Sequence, residues 1–229
     1  MKVNVTKENL KEILASNEFY LYTKLKLIEK IYPRIYTNIY QNPNKNFFNA
    51  IIKQHNYIAE FLFNENIVDI NAQDSFNQTA LHKAINSYNK EMVLFLLKKN
   101  INIPKDIIFF ACCYTAHIKD EEVTNFLIEI LNILKEYKAD INVCAGFLEE
   151  TPLHIAVDCG NYKVVEFLLK NGADFGITNK YGKTAFDYAK TLLETEQRYL
   201  EKELEKKHSD NIKKIYKLLK SYVERGKEK

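Results

Sequence analysis

Thr151-Pro152-Leu153-His154-Ile155-Ala156 is the stretch on which the reading of this 229-residue chain turns. Threonine readily accepts the free amides at the start of a helix, and proline at the first helical position loses no hydrogen bond. The stretch therefore opens a helix. It has two counterparts, Thr79-Ala80-Leu81-His82-Lys83-Ala84 upstream and Thr184-Ala185-Phe186-Asp187-Tyr188-Ala189 downstream, each led by turn-forming or polar residues. Thr151 and Thr184 are 33 residues apart, and Thr79 and Thr151 are 72 apart, which is two such periods plus six. A degenerate copy belongs in that gap, and Asp106-Ile107-Ile108-Phe109-Phe110-Ala111 fits the frame, with Asp106 able to cap. The loop from Asn100 to Lys105 has then lost most of a hairpin, and about twelve residues are inserted after Ala111.

A second apolar run at helical spacing follows each copy: Met92 to Leu97, Phe126 to Leu131 and Val164 to Leu169. Asn100, the Lys138-Ala139-Asp140 stretch and Gly172 end them, Gly172 suiting the left-handed residue just past a helix. Upstream, Asn46 to Ala50 and Ile58 to Leu62 make a further pair, closed by Asp69-Ile70-Asn71, an element that recurs as Asp140-Ile141-Asn142. Downstream, Thr184 opens a helix whose continuation, Thr191 to Lys207, is long, and Ser209 caps another carrying Ile212, Ile215, Tyr216, Leu218 and Leu219. Five helix pairs result. The remaining leader has Thr6 as an N-cap before Leu10, Ile13 and Leu14, and an amphipathic stretch from Phe19 to Tyr32 stopped at Pro33.

Over roughly residues 45–225 this pattern resembles the ankyrin-repeat family. The resemblance implies an all-α solenoid of stacked helix-turn-helix pairs with short hairpin loops and helical caps. The divisions are a helical cap over 1–44, repeats over 45–73 and 74–102, a degenerate repeat with its insertion over 103–146, and a repeat over 147–179. A fifth, over 180–229, caps the C-terminal end with extended helices. Carried across, Thr79, Thr151 and Thr184 open first helices, Pro152 starts one, and His82 and His154 hold neighbouring loops. Phe109, Asp187 and the missing glycines of several loops depart from the family pattern. Asn71 stands where some members accept asparagine hydroxylation.

The family recognises protein partners through hairpin tips and the inner-helix face. On matching positions this nominates Ser75, Phe76, Gln78, Lys83 and Asn86, then Phe147, Leu148, Glu149 and Asp158, then Asn179, Lys180, Tyr181 and Lys183. Phe76, Phe147 and Tyr181 are read as three aligned tip aromatics, of the type that anchors interfaces; the alternative is that each ring folds over its neighbour's loop. The reading is of a non-enzymatic interaction module or scaffold, as in a host-directed effector. The rival is an adaptor that docks through its C-terminal helices into a larger complex such as a ubiquitin ligase.

Composition narrows the alternatives. The 33 basic and 30 acidic residues leave a net charge of +3, too little to gather nucleic acid or a membrane surface. The charged start, Met1-Lys2-Val3-Asn4, does not read as a signal peptide, and no apolar window approaches a membrane span. Four cysteines without a Cys-x-x-Cys suit a reducing cytoplasm, whether the cell's own or a host's, and a monomer is expected. Lysine in great excess over the three arginines, with abundant asparagine and isoleucine, matches an AT-rich genome such as that of an intracellular bacterium, a parasite or a large DNA virus.

No catalytic, metal-binding or phosphate-binding motif is complete in the sequence. Cys112 and Cys113 with His117 lack a fourth zinc ligand, so small core thiols are the better reading. His154 with Asp158 or Cys159 lacks a nucleophile with an orienting third group. With six glycines and no G-x-G, a phosphate loop is disfavoured, and no metal or cofactor is expected. The lysines beyond Lys213 are offset by Glu194, Glu196, Glu201, Glu203 and Glu205, and read as a solvated face. Leu193, Leu200 and Leu204 are too few heptad positions for a coiled coil.

Overall fold

Seven-residue helices such as Ala80–Asn86 and Pro152–Asp158 are far shorter than the ~12–15 residues an isolated helix needs in water, so packing must hold them. A computed structural model of the chain describes residues 5–17, 20–115, 120–199 and 206–226, and these form twelve helices in two compact units, 1–103 and 104–229. His117, Leu200, Leu204, Glu201, Glu203 and Glu205 lie outside the described residues. The described residues contain no β-strand, only three isolated bridges that close hairpins: Gln73 with Thr79, Ala145 with Glu150, and Thr178 with Thr184. The fold is the all-α ankyrin solenoid type.

In the first unit, α1 (Leu10–Ala15) and α2 (Leu21–Ile31) precede the pairs α3 (Pro43–Ile52) with α4 (Asn56–Asn64) and α5 (Ala80–Asn86) with α6 (Lys90–Lys98). The inner helices α3 and α5 pack side by side. Phe47, Ile51, Ile58, Leu62, Leu81, Ile85 and Met92 are fully buried between them and their outer partners. Each such side chain contributes about 1.5–3 kcal/mol. Thr6 is not the N-cap of α1. Asn9 is, because its carbonyl accepts the Ile13 amide at 3.1 Å as the first bond of the helix; Thr6 stands a turn upstream, its amide donating to Asn9 Oδ1 at 2.8 Å. Lys24 of α2 is buried, its ammonium donating to the Leu14 carbonyl at 2.9 Å and lying 5.5 Å from the Phe61 ring centre.

The second unit pairs α7 (Ile107–Thr115) with α8 (Glu121–Glu136), α9 (Pro152–Asp158) with α10 (Tyr162–Lys170), and α11 (Ala185–Tyr199) with α12 (Lys206–Gly226). Inner helices α7, α9 and α11 form one row, outer helices α8, α10 and α12 another. The inserted residues largely become helix: α7 has nine residues against seven in α9, and α8 has 16 against nine in α10. Asp120 starts α8 by accepting the Glu122 and Val123 amides at 2.8 and 3.1 Å, and buried Thr124 and Leu127 extend the apolar stripe upstream. Ser209 lies inside α12, which is already helical at Lys206, rather than at its cap. Ile212, Ile215 and Leu219 of α12 are fully buried, and Tyr216 stacks on Phe186 at 5.3 Å.

The missing glycines do not change the loop conformation. Asn66, Asn100, Lys138 and Gly172 all take positive φ just past an outer helix, as do Asn77, Glu149 and Gly182 at the hairpins. Asparagine tolerates that region, but a lysine there carries a strain of about 1–2 kcal/mol. Lys138→Gly should therefore raise stability by roughly 1 kcal/mol, shifting the thermal midpoint up by about 2–4 °C in a scan followed by circular dichroism. An unchanged or lower midpoint would contradict this.

Asn71 and Asn142 join successive loops within their units. Each has its own amide held by the aspartate two residues before, and its side-chain oxygen accepts from the next loop, at Asn102 (2.9 Å) and Asp174 (2.8 Å) respectively. The recurring Asp-Ile-Asn element is thus a spacer between repeats.

Candidate interaction surface

The hairpins that project from the inner helices are built from their own polar side chains. Asp74 accepts the Phe76 and Gln78 amides at 2.8 and 3.0 Å on one oxygen and pairs with the Lys83 ammonium on the other. Burial works to raise its pKa, but the bonds from Lys83, Gln78 and Phe76 outweigh it and hold the carboxyl below the usual range. Lys83 also donates to Gln78 Oε1 at 2.7 Å. Both nominated polar residues are thus engaged in bracing the loop, while Ser75, Phe76 and Asn86 are exposed, Phe76 by 79%.

In the second unit, Asn179 does what Asp74 does in the first. It is only 4% exposed, and its oxygen accepts the Tyr181 and Lys183 amides at 2.9 and 3.1 Å. Its amide nitrogen donates to the Tyr188 hydroxyl at 3.0 Å, and that hydroxyl donates to Glu150 at 2.5 Å. Burial first, then Glu150, pushes the Tyr188 pKa up to about 12. Asn179 is therefore a strut and leaves the set of contact candidates. At the remaining hairpin Gly146 takes this place with φ +72°, and a Cβ there would stand 3.2 Å from the Phe109 ring.

The left-handed residues Asn77, Glu149 and Gly182 set the register of the three hairpins. Phe76, Leu148 and Tyr181 then share one position, whereas Phe147 matches Ser75 and Lys180, one residue earlier. The expectation of three equivalent aromatics is corrected accordingly. Phe147 (85% exposed) and Tyr181 (65%) nevertheless meet around one cation: Lys180 Nζ lies 3.0 Å from the Phe147 ring centre and 5.3 Å from that of Tyr181. The Lys180 amide donates to the Leu148 carbonyl at 3.0 Å, joining the two hairpins. Glu149, Asp158 and Lys183 are exposed and Leu148 half-buried.

Below the tips, His154 ties one repeat to the next. Its Nδ1 accepts the Thr151 amide at 3.2 Å, so the proton sits on Nε2, which donates to the Lys183 carbonyl at 3.0 Å. The Thr151 hydroxyl accepts the His154 amide, completing a capping box behind buried Pro152. His82 makes the same box with Thr79. Asp187 replaces the histidine in the last copy, accepting the Thr184 amide at 2.9 Å and hydroxyl at 2.7 Å, which keeps the cap. Those bonds from Thr184 lower its pKa against the opposing effect of burial.

Both Asp74 and Asp187 have folded-state pKa values below their unfolded ones, so their contribution is complete above about pH 4 and is lost as pH falls through the folded values. Thermal midpoints measured from pH 7 down to 2 should therefore fall more steeply in the native chain than in an Asp74→Asn, Asp187→Asn double variant. Parallel profiles would refute the assignment.

Reading by motif missed Asp74, Tyr188 and Glu150. An Asx turn was legible in Asp74-Ser75-Phe76-Asn77 and Asn179-Lys180-Tyr181-Gly182, since both pair such a residue with one suited to positive φ. Nothing in the sequence marks the Glu150 to Tyr188 bond, which spans 38 residues. Elsewhere, Cys112 is fully buried and burial drives its thiol pKa up, as it does that of Cys113, to about 12. No group of three or more His, Cys, Asp or Glu able to hold a metal occurs among the described residues. No helix among them is long and apolar enough to cross a membrane.

Comparison with known proteins agrees with this construction. Residues 136–189 match the family model for ankyrin repeats in many copies, and residues 24–107 and 47–129 match that for ankyrin repeats in three copies. The ankyrin repeat protein FPV223 of Fowlpox virus (strain NVSL) is 31% identical over 53% of this chain and 82% of its own length. A second Fowlpox virus ankyrin repeat protein, FPV031, is 28% identical over 62% of this chain and 42% of its own. The BRCA1-associated RING domain protein 1 of Caenorhabditis elegans is 40% identical over 34% of this chain, which spans only 12% of that protein. By its period, its capping boxes and these matches, the chain belongs to the ankyrin-repeat family, whose repeats are protein-protein interaction modules.

Proposed function

We propose that this chain is a non-enzymatic scaffold that holds a protein partner through its hairpin tips and the exposed sides of its inner helices. The observation that carries this is the exposed Phe147-Lys180-Tyr181 cluster, two rings and a cation held out from hairpins that are braced by Asn179 and by the Lys180 to Leu148 bond. Aromatic side chains in such a setting lose little conformational freedom on binding and dominate interface energies. The Fowlpox virus relatives support a host-directed role.

The rival reading, docking through the C-terminal helices, has less support, because the apolar face of α12 is spent inside the unit. Truncation there would remove the buried Ile212 and Ile215 and uncover the helices they pack on, α10 and α11, so surface changes test it better. In pull-downs from cells, Phe147→Ala with Tyr181→Ala should reduce partner recovery roughly 30-fold or more, about 2 kcal/mol. Lys214→Glu with Lys217→Glu, on the exposed side of α12, should leave it unchanged. The opposite pattern would favour the rival, and no effect from either pair would sink both.

A further inference from the structure

The inner-helix side of the second unit holds a cavity of about 190 Å³ lined by Asp158, Lys183, Asp187, Tyr188, Thr191 and Leu192. Its acidic neighbours are not equivalent. Asp187 is occupied by Thr184, and nearby Glu150 by the Tyr188 hydroxyl. The Asp158 carboxylate has no hydrogen bond or ion pair among the described residues, and Lys183, on the same wall, pairs with neither aspartate. Its partial burial in the cavity wall, then Glu150, raises the Asp158 pKa.

We infer that this cavity receives an arginine side chain of the protein partner, an inference that rests on the interaction-module reading above. The apolar part of the wall, Leu192 and the Tyr188 ring, suits the aliphatic stem; the Tyr188 hydroxyl is turned to Asn179 and Glu150. The guanidinium fork then meets Asp158. Thr191, whose hydroxyl donates to the Asp187 carbonyl at 2.9 Å, keeps its lone pairs for one of the remaining guanidinium donors. A planar group with five donors matches a carboxylate and a hydroxyl together, which a lysine ammonium does as a point charge only.

The test needs no partner. The full chain, labelled with nitrogen-15, is titrated with Nα-acetyl-arginine amide, Nα-acetyl-lysine amide and Nα-acetyl-citrulline amide while amide resonances are followed. Arginine should give saturable shifts clustered at Asp158, Tyr188, Thr191 and Leu192; lysine should bind several-fold more weakly, and uncharged citrulline should give none. Asp158→Asn should weaken the arginine response by roughly tenfold or more. Absence of saturable arginine shifts, a citrulline response equal to that of arginine, or full binding by a folded Asp158→Asn chain would each overturn the inference, and equal lysine binding would overturn the choice of arginine. The three-ligand comparison on the native chain decides the matter even if the variant does not fold. Since partner recovery by the tip aromatics is read separately, failure here leaves the interaction reading to its own pull-down.

Discussion

Replacing His154 by leucine should lower the stability of the second unit by about 3 kcal/mol. Leucine has similar bulk, so little of the loss comes from volume. The loss comes from two backbone groups. The Thr151 amide, at a residue 1% exposed, loses its Nδ1 acceptor, and the Lys183 carbonyl loses its Nε2 donor. A buried polar group left unpaired costs about 1–3 kcal/mol, and the edge-to-face contact with Tyr188, centroids 5.4 Å apart, disappears as well. Urea unfolding followed by circular dichroism measures the change. A loss under about 1 kcal/mol would mean that water replaces both bonds and that the histidine is not the strut described.

Asn179→Leu is expected to cost about the same, but with a local signature. The Tyr181 and Lys183 amides and the Tyr188 hydroxyl all lose a partner. The hairpin then opens more often, and hydrogen exchange should quicken at Tyr181, Gly182 and Lys183 before the rest of the unit. Asn179→Asp is the informative companion. Asp74 shows that a carboxylate organises the same turn, so exchange protection at Tyr181 and Lys183 should return. Stability should not return fully, because a carboxylate cannot donate to Tyr188 and stands near Glu150. If Asn179→Leu leaves exchange at the tip unchanged, the presentation of Tyr181 does not depend on Asn179, and the account of a braced tip fails.

These two residues mark the division between what was legible in the chain and what was not. The period, the helix starts at Thr79, Thr151 and Thr184, and the stops at Asn100 and Gly172 follow from interactions within a turn or two of chain, so a single copy carries them. Even the substitution of Asp187 for histidine preserves the cap, because capping requires only an acceptor three residues on. Starts whose competitors sit close by were read less well: Asn9 displaces Thr6, and Ser209 lies within a helix that begins upstream.

What a hairpin offers to a partner is decided differently. The polar residues of the tips look alike in sequence, and their fate depends on how the side chains of their own hairpin and of the neighbouring elements fold around them. Lys83 is taken by Asp74 and Gln78, Asn179 by Tyr188 and two amides, and Lys180 lies over a ring from the hairpin before it. Asp158 is left alone because the Tyr188 hydroxyl donates to Glu150 and Thr184 to Asp187 instead. The sequence by itself determined that Thr151-Pro152-Leu153-His154 opens a helix in a chain of repeated pairs, since those forces act over three or four residues. Only tertiary structure decided that His154 reaches Lys183, that Phe147 and Tyr181 share one lysine, and that Asp158 remains unpaired, because a side chain 30 residues away must first be brought into hydrogen-bonding range.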